Sequence, residues 1–190
     1  MIDIFKKSII IEPMDNVMKQ QLAETMAQFH LPRYAQLPNM GLYLEQTTKY
    51  INQCLVPLGC MEITSSMIRN YVKMGLVTKP DQKQYYADQI AHLFSITILK
   101  TVLPLEYIKE LFVMQEKVYP DDVAYDYLCM ELENVLYDRF GVTDSVDQIG
   151  SSSSLEKEML RSAVTSVSHI IYLNACFAHL AAQKNQNPSG

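Results

Sequence analysis

One stretch, from Ile63 to Phe112, sets most of what this chain can fold into. It opens with a short run between Thr64 and Gly75, and these two residue types commonly begin and end a helix. The run carries four polar side chains at the spacing of a single helical face: Ser66, Arg69, Asn70 and Lys73. The sequence therefore predicts a short helix whose outer face offers hydrogen-bonding and basic groups and no acid.

The residues after Gly75 predict a small β-hairpin. Two strand-compatible runs, 76–78 and 83–86, are separated by the turn-forming residues 79–82. Lys79 and Lys83 flank the tip of this hairpin. A polar-faced helix followed by a basic hairpin is typical of a winged helix-turn-helix. In that arrangement the helix enters a DNA major groove and the hairpin rests on the flanking backbone.

The rest of the chain is also predicted to be mostly helical, from the period of its apolar residues and from its capping residues. The expected fold class is mainly α: a winged helix-turn-helix, made of helices plus a small β-hairpin wing, with additional C-terminal helices. The link 56–62 is longer than the usual turn of this motif, so the angle between its two helices is not predictable. The predicted helices are 13–29, 42–55, 64–75, 88–103, 104–119, 121–140 and 155–183.

Prolines and a serine-rich segment divide the chain into three expected parts. Residues 1–36 form an N-terminal helical arm, and residues 37–119 form the winged helix-turn-helix domain. Residues 120–190 form a C-terminal helical region that either extends the core or serves in dimerisation and effector binding. At 190 residues the chain has room for a small domain with such an extension.

Three segments carry a family resemblance. The run MIRNYVKMGLV, followed by KQYYADQIAHLFSITILK and LPLEYIKELF, resembles the DNA-binding domain of MerR-type transcriptional regulators. More narrowly, residues 31–112 resemble an uncharacterised bacterial family of domains of unknown function with a MerR-like core. The resemblance implies that Arg69 contacts backbone phosphate, that Tyr71 is the second aromatic of the helix, and that Tyr86 closes the wing.

The wing departs from the family pattern. Lys83, Gln84 and Tyr85 stand where the family has a tyrosine and arginines. The wing is therefore expected to bind backbone phosphate more weakly. The resemblance implies double-stranded DNA as the partner and a homodimer as the functional unit. The candidate DNA-binding residues are Thr64, Ser66, Arg69, Asn70, Tyr71, Lys73, Lys79, Lys83, Gln84, Tyr85 and Tyr86.

The distribution of charge agrees with this interpretation. The formal net charge is −5, but residues 64–103 carry five basic and two acidic side chains, which gives +3. Residues 104–190 carry six basic and thirteen acidic side chains, which gives −7. Such asymmetry is typical of a DNA-contacting module attached to an acidic partner region. Ordinary charged surface helices remain the alternative explanation.

The chain shows no catalytic pattern. Its four histidines lack a neighbouring nucleophile and acid, and there is no glycine-rich phosphate loop. Its four cysteines lack the spacing of a metal site. We therefore expect no enzymatic activity, no metal and no cofactor. With neither a signal peptide nor a membrane span in the sequence, we expect a cytoplasmic protein.

The last helix becomes almost entirely apolar after Ile170. A helix that is apolar all round requires burial on several sides, so we expect a core helix, with a dimer interface as the alternative. Any small-molecule effector is expected between the last two helices, near Tyr125, Cys129 and Cys176, because soft side chains there adjoin Asn174.

Two functions from different classes follow from the sequence. The first is a sequence-specific transcriptional regulator that binds DNA through the winged helix-turn-helix. The second is a protein-interaction scaffold that keeps the fold without specific DNA binding. The outer face of the predicted helix 64–75 favours the first, because a protein-docking face usually exposes an apolar anchor.

Overall fold

The computed structural model describes residues 16–59, 61–150 and 154–186, and within them the protein is mainly helical, which confirms the mainly α part of the predicted class. The expected helix start at Pro13 lies outside the described residues. Two short 3-10 helices, Tyr34–Gln36 and Val56–Leu58, join the main elements. These are α1 (Asn16–Ala27), β1 (Leu42–Tyr43), α2 (Leu44–Leu55), α3 (Ser65–Lys73), β2 (Gln84–Tyr85), α4 (Ala87–Leu99), α5 (Leu105–Gln115), α6 (Asp121–Phe140) and α7 (Leu155–Gln186).

Helix α4 lies at the centre of the fold. Between Gln89 and Leu99, every residue except His92 is buried. Because α4 is apolar on all sides, other helices must cover it on all sides. Helices α2, α5, α6 and α7 do so. The two side-chain hydroxyls inside this segment donate to carbonyls of their own helix, Thr97 to Leu93 at 2.6 Å and Ser95 to Ala91 at 2.9 Å.

Helices α6 and α7 form the most extensive helix pair of the fold. The predicted apolar stripe of α6 is confirmed, since all five of its members are buried: Tyr125, Leu128, Cys129, Leu132 and Leu136. A charged pair joins the same helices: the Glu131 carboxylate is fully buried and accepts hydrogen bonds from Arg161 Nη2 at 2.7 Å and Nε at 3.2 Å. A buried carboxylate is stable only with such partners.

A second buried carboxylate holds the segment that follows α1. Glu133 of α6 accepts two hydrogen bonds from the Arg33 guanidinium, at 2.8 and 2.5 Å, and a third from the Leu31 amide at 2.8 Å. These bonds tie the chain between α1 and β1 to α6. Nearby, the Tyr34 hydroxyl donates to Asp88 on α4, and the Tyr34 amide donates to Asp126 on α6 at 2.7 Å.

The predicted pairing within the wing is wrong. Strand β2 pairs antiparallel with β1, with Leu42 opposite Tyr85, and does not pair with residues 76–78. Leu76 and Val77 are both buried. Successive strand residues point to opposite faces, so two consecutive buried residues do not suit an exposed hairpin. The tight turn spans 81–84 rather than 79–82, with positive φ at both of its central residues.

The expectation that the apolar end of α7 is buried is also wrong. Ile171 is buried, but Leu173, Phe177 and Leu180 beyond it are exposed. A helix of 32 residues is about 48 Å long, whereas its partner α6, with 20 residues, is about 30 Å long. The C-terminal part of α7 therefore extends beyond the end of α6, the helix against which α7 packs.

Buried side chains from all three expected parts of the chain form one continuous apolar cluster, which runs from Met26 on α1 to Ile171 on α7. The division at residues 37 and 120 stays a prediction. The physical link between the parts is α4, because it contacts both α2 and the α6–α7 pair.

Replacing Arg33 by methionine should destabilise the protein by about 2 kcal/mol, because the buried Glu133 carboxylate loses its charged partner. This value lies below that for a fully buried pair, since about a third of Arg33 is exposed. Adding Glu133→Gln should restore most of the loss, because a glutamine oxygen still accepts from the Leu31 amide without a charge. Urea unfolding measures both variants.

The matched control is Arg69→Met, at an exposed arginine, which should change the free energy of unfolding by less than about 0.5 kcal/mol. Equal stability of Arg33→Met and the wild-type protein would show that the Glu133 contacts do not hold this segment.

Candidate nucleic-acid interface

Helix α3 is fixed at both ends by its own sequence. The Thr64 side chain accepts a hydrogen bond from the Met67 amide at 3.2 Å, which confirms the predicted N-cap. At the other end Gly75 has φ +71°, a conformation that glycine adopts without strain. The Leu76 amide donates to the Tyr71 carbonyl at 3.0 Å, and the Gly75 amide donates to Val72 at 3.2 Å. These two bonds form a Schellman motif.

The outer face of α3 is the candidate interface. All four predicted polar residues of this face, Ser66, Arg69, Asn70 and Lys73, are exposed. Ile68 and Tyr71 on the opposite side are buried, so the helix presents the face that the sequence predicted. Two methionines border this face, and Met67 and Met74 are each 37% exposed. The exposed surface of α3 therefore combines polar and basic groups with two apolar side chains.

A side-chain amide on α2 sets the position of α3. The Ile63 amide donates to Asn52 Oδ1 at 2.9 Å, and Asn52 Nδ2 donates to the Ile63 carbonyl at 2.8 Å. At the first residue of α3, the Ser65 hydroxyl donates to Glu45 on α2 at 2.9 Å and lies 3.1 Å from the Thr48 hydroxyl. These contacts fix the two helices across the long link, for which sequence reasoning gave no angle.

The segment between α3 and β2 is held by Gln89 of α4. Its amide nitrogen donates to the carbonyls of Lys79 at 2.9 Å and Thr78 at 3.3 Å, and its oxygen accepts from the Tyr86 amide at 2.8 Å. Lys79 and Lys83 are exposed. Sequence reasoning missed Gln89, although a glutamine within an otherwise apolar run is a detectable signal.

Two predicted contact residues are buried. Tyr71 is 3% exposed and Tyr85 is 4% exposed, and burial raises the pKa of both phenols. Their rings belong to the core beneath the interface and are not presented on the surface. Gln84 is half-buried, whereas Tyr86 is exposed and donates to Gln84 Oε1 at 3.3 Å. The predicted DNA-binding residues therefore fall into two groups. Most are exposed on the surface, whereas Tyr71 and Tyr85 support that surface from the core.

Two further lysines adjoin α3. Lys100 Nζ donates to the Glu62 carbonyl at 2.9 Å, just before α3 begins, and burial lowers the pKa of this lysine. Lys109 Nζ lies 3.4 Å from the Met74 carbonyl at the end of α3, where a cation is favourable for the helix dipole. Lys100 belongs to the basic block 64–103 but is engaged with the protein backbone. Lys109 adds a positive group that the sequence did not assign to this region.

The expected effector position and the long apolar helix lie away from α3. At the expected effector position Cys129 is fully buried, whereas Tyr125 borders a small space of about 70 Å³ and its hydroxyl donates to the Pro32 carbonyl at 3.0 Å. Among the described residues, no three His, Cys, Asp or Glu side chains are grouped to hold a metal ion.

The helical segment 155–182 is long and apolar enough to cross a membrane. Core helices of soluble proteins share this property.

Comparison with known proteins gives one match. A family of domains described as of unknown function, DUF1836, matches residues 32–140, which is more than half of the chain and includes α2 to α6. No curated protein and no solved structure matches the chain. The candidate interface on α3, the Asn52 contacts and the Arg33–Glu133 pair all lie within the matched residues. The chain therefore belongs to the DUF1836 family.

Proposed function

We propose that this protein is a cytoplasmic, sequence-specific DNA-binding transcriptional regulator with a MerR-like winged helix-turn-helix. The observation that carries the proposal is the outer face of α3, where Ser66, Arg69, Asn70 and Lys73 are exposed together without an acidic residue. Arginine and lysine contact phosphate or guanine, and asparagine pairs with adenine in a bidentate manner. Helix α3 has nine residues, and an α-helix with its side chains is about 10–12 Å across, which fits a major groove about 12 Å wide.

The surroundings of α3 support the same function. Lys79 and Lys83 are exposed on the segment that Gln89 holds against α4, and they are available for the flanking phosphates. Two of the acidic residues of the C-terminal region, Glu131 and Glu133, are buried in pairs with Arg161 and Arg33. These two carboxylates therefore contribute little to the surface field that a DNA backbone meets.

The alternative function is a protein-interaction scaffold, and one observation favours it. Met67 and Met74 flank the polar face of α3, and both are partly exposed. Flexible methionine side chains are common on surfaces that accept several partners. The two functions differ in their response to salt, because neutralised phosphates release counterions and an apolar protein contact does not.

We further propose that α7 joins two copies of the chain. Leu173, Phe177 and Leu180 are exposed at i, i+4 and i+7, so they form one apolar row on the part of α7 beyond Ile171. A second copy of the same helix offers an identical row, and a two-fold dimer suits the two half-sites of a DNA operator.

Replacing Lys83 by alanine should weaken binding to all duplexes alike and lower the salt slope by about one unit, because a phosphate contact carries no sequence information. Fluorescence anisotropy with a labelled duplex at several salt concentrations measures the slope. Lys19→Ala is the matched control, since Lys19 is exposed on α1, which packs against α6. A slope that Lys83→Ala leaves unchanged would remove this residue from the interface.

Replacing Asn70 by alanine should change which sequence is preferred, at a cost of about 1–3 kcal/mol on the wild-type site, if the amide reads adenine. Selection from random duplexes with both proteins measures the change. Gln53→Ala, at an exposed amide on α2, is the control. Identical motifs from wild type and Asn70→Ala would contradict a base-reading role for Asn70.

Replacing Phe177 by glutamate should convert the dimer to a monomer, because it places a charge within the apolar row of α7. Sedimentation velocity at micromolar concentration measures the species present. The control is Met130→Glu on α6, which also introduces a charge at a partly exposed apolar residue but lies outside this row. A wild-type protein that sediments only as a monomer, with and without DNA, would remove the dimer.

A further inference from the structure

A small, partly open space lies away from the candidate interface, where α4, α5, α6 and the first turns of α7 meet. Its volume is about 70 Å³, and its walls are mostly apolar, with Leu111, Phe112 and Leu128 among them. A second space of about 100 Å³ adjoins it between α5, α6 and α7, bordered by the Tyr119 and Tyr127 side chains. Gln115, Ala124, Glu156 and Leu160 line both spaces, so the two are neighbours across one wall.

One polar atom in the first space has no partner. His92 Nε2 is buried and makes no hydrogen bond to any residue that the structure describes. The nearest opposite charge is Asp121 Oδ1 at 3.7 Å, which is too far for a hydrogen bond. The imidazole ring itself is fixed by stacking on Phe112, with ring centroids 4.8 Å apart. An unsatisfied buried group of this kind costs about 1–3 kcal/mol, so an occupant that satisfies it is favoured.

The groups around His92 define what such an occupant must offer. The Asp121 carboxylate accepts hydrogen bonds only, and its position favours the tautomer with the proton on Nε2. The amide nitrogen of Gln115 already donates to the Tyr119 carbonyl at 2.8 Å and to Asp121 Oδ1 at 3.3 Å, which leaves further acceptor capacity on this carboxylate. A hydroxyl group beside the line that joins His92 Nε2 and Asp121 Oδ1 accepts from the first and donates to the second. An anion is disfavoured, because Asp121 and Glu156 both line the space.

The remaining walls accept an apolar ring. An apolar space of about 150 Å³ is known to hold one benzene molecule. Neither space reaches that volume alone, so an aromatic occupant requires side chains of the shared wall, such as Leu160, to move and join the two spaces. Tyr119 and Tyr127 line the second space, and the Lys157 ammonium lies 5.3 and 5.2 Å from their ring centroids.

From the unpartnered His92 Nε2 opposite Asp121 in an apolar space, we propose a binding site for a small neutral aromatic alcohol of the phenol class. The hydroxyl lies between His92 and Asp121, and the ring occupies the joined spaces between α5, α6 and α7. This site is independent of the DNA-binding proposal, since none of its residues belongs to α3 or to the segment 76–84.

The test is isothermal titration calorimetry of the full chain with phenol, toluene, benzylamine and benzoate. Toluene replaces the hydroxyl by a methyl group of similar size, and the other two probes carry opposite charges. We expect phenol to bind at one site about tenfold more tightly than toluene, which reflects the hydrogen bonds to His92 and Asp121. Absence of phenol binding would overturn the proposal, as would tighter binding of benzylamine or benzoate.

Two variants assign the site. His92→Phe keeps a ring against Phe112 but removes the nitrogen, so the phenol-to-toluene preference should fall from about tenfold to about threefold, because the Asp121 carboxylate still accepts from the phenol hydroxyl. Ala124→Leu fills the wall shared by the two spaces and should abolish binding of both probes. His169→Phe, at an exposed histidine of α7, is the control and should leave both affinities unchanged. A phenol preference that stays at about tenfold in His92→Phe would overturn the proposal.

Discussion

The fold depends on the requirement that α4 be covered on every side. Only one of the residues from Gln89 to Leu99 escapes full burial. Helices α2, α5, α6 and α7 therefore pack around a single buried helix, and none can be removed without exposing apolar surface to water. Because Gln89 at the start of α4 also holds the segment beyond α3, the same helix that organises the core positions the candidate interface.

Polar side chains decide how the connecting segments lie on this core. Asn52 satisfies both backbone groups of Ile63, and Glu133 accepts from Arg33 and from the Leu31 amide. The Glu133 contacts join residues 100 and 102 positions apart, and the Asn52 contacts span the link between α2 and α3. Buried backbone groups must find partners, so a well-placed amide or carboxylate fixes a segment that has no regular structure of its own. This explains how a long link between α2 and α3 is compatible with a defined angle.

Local features of the fold were predictable and long-range features were not. Thr64 and Gly75 defined α3 because caps act within one helical turn, and the α6 stripe followed from helical periodicity. The pairing of β1 with β2 depends on contacts across about forty residues, which no local pattern specifies. The exposed end of α7 was missed because apolar composition predicts burial without naming what covers it. At the candidate site, the exposed face of α3 followed from spacing, whereas the burial of Tyr85 depended on tertiary packing.

The central claim is that DNA binds to the outer face of α3 and to the adjoining basic segment. The most direct test is a titration of isotope-labelled protein with a mixed-sequence duplex at low salt, followed by backbone amide resonances in nuclear magnetic resonance spectra. The account predicts shift changes that concentrate at residues 64–74 and 79–84 and that weaken as salt is raised. An unchanged spectrum, or changes confined to α7, would contradict it.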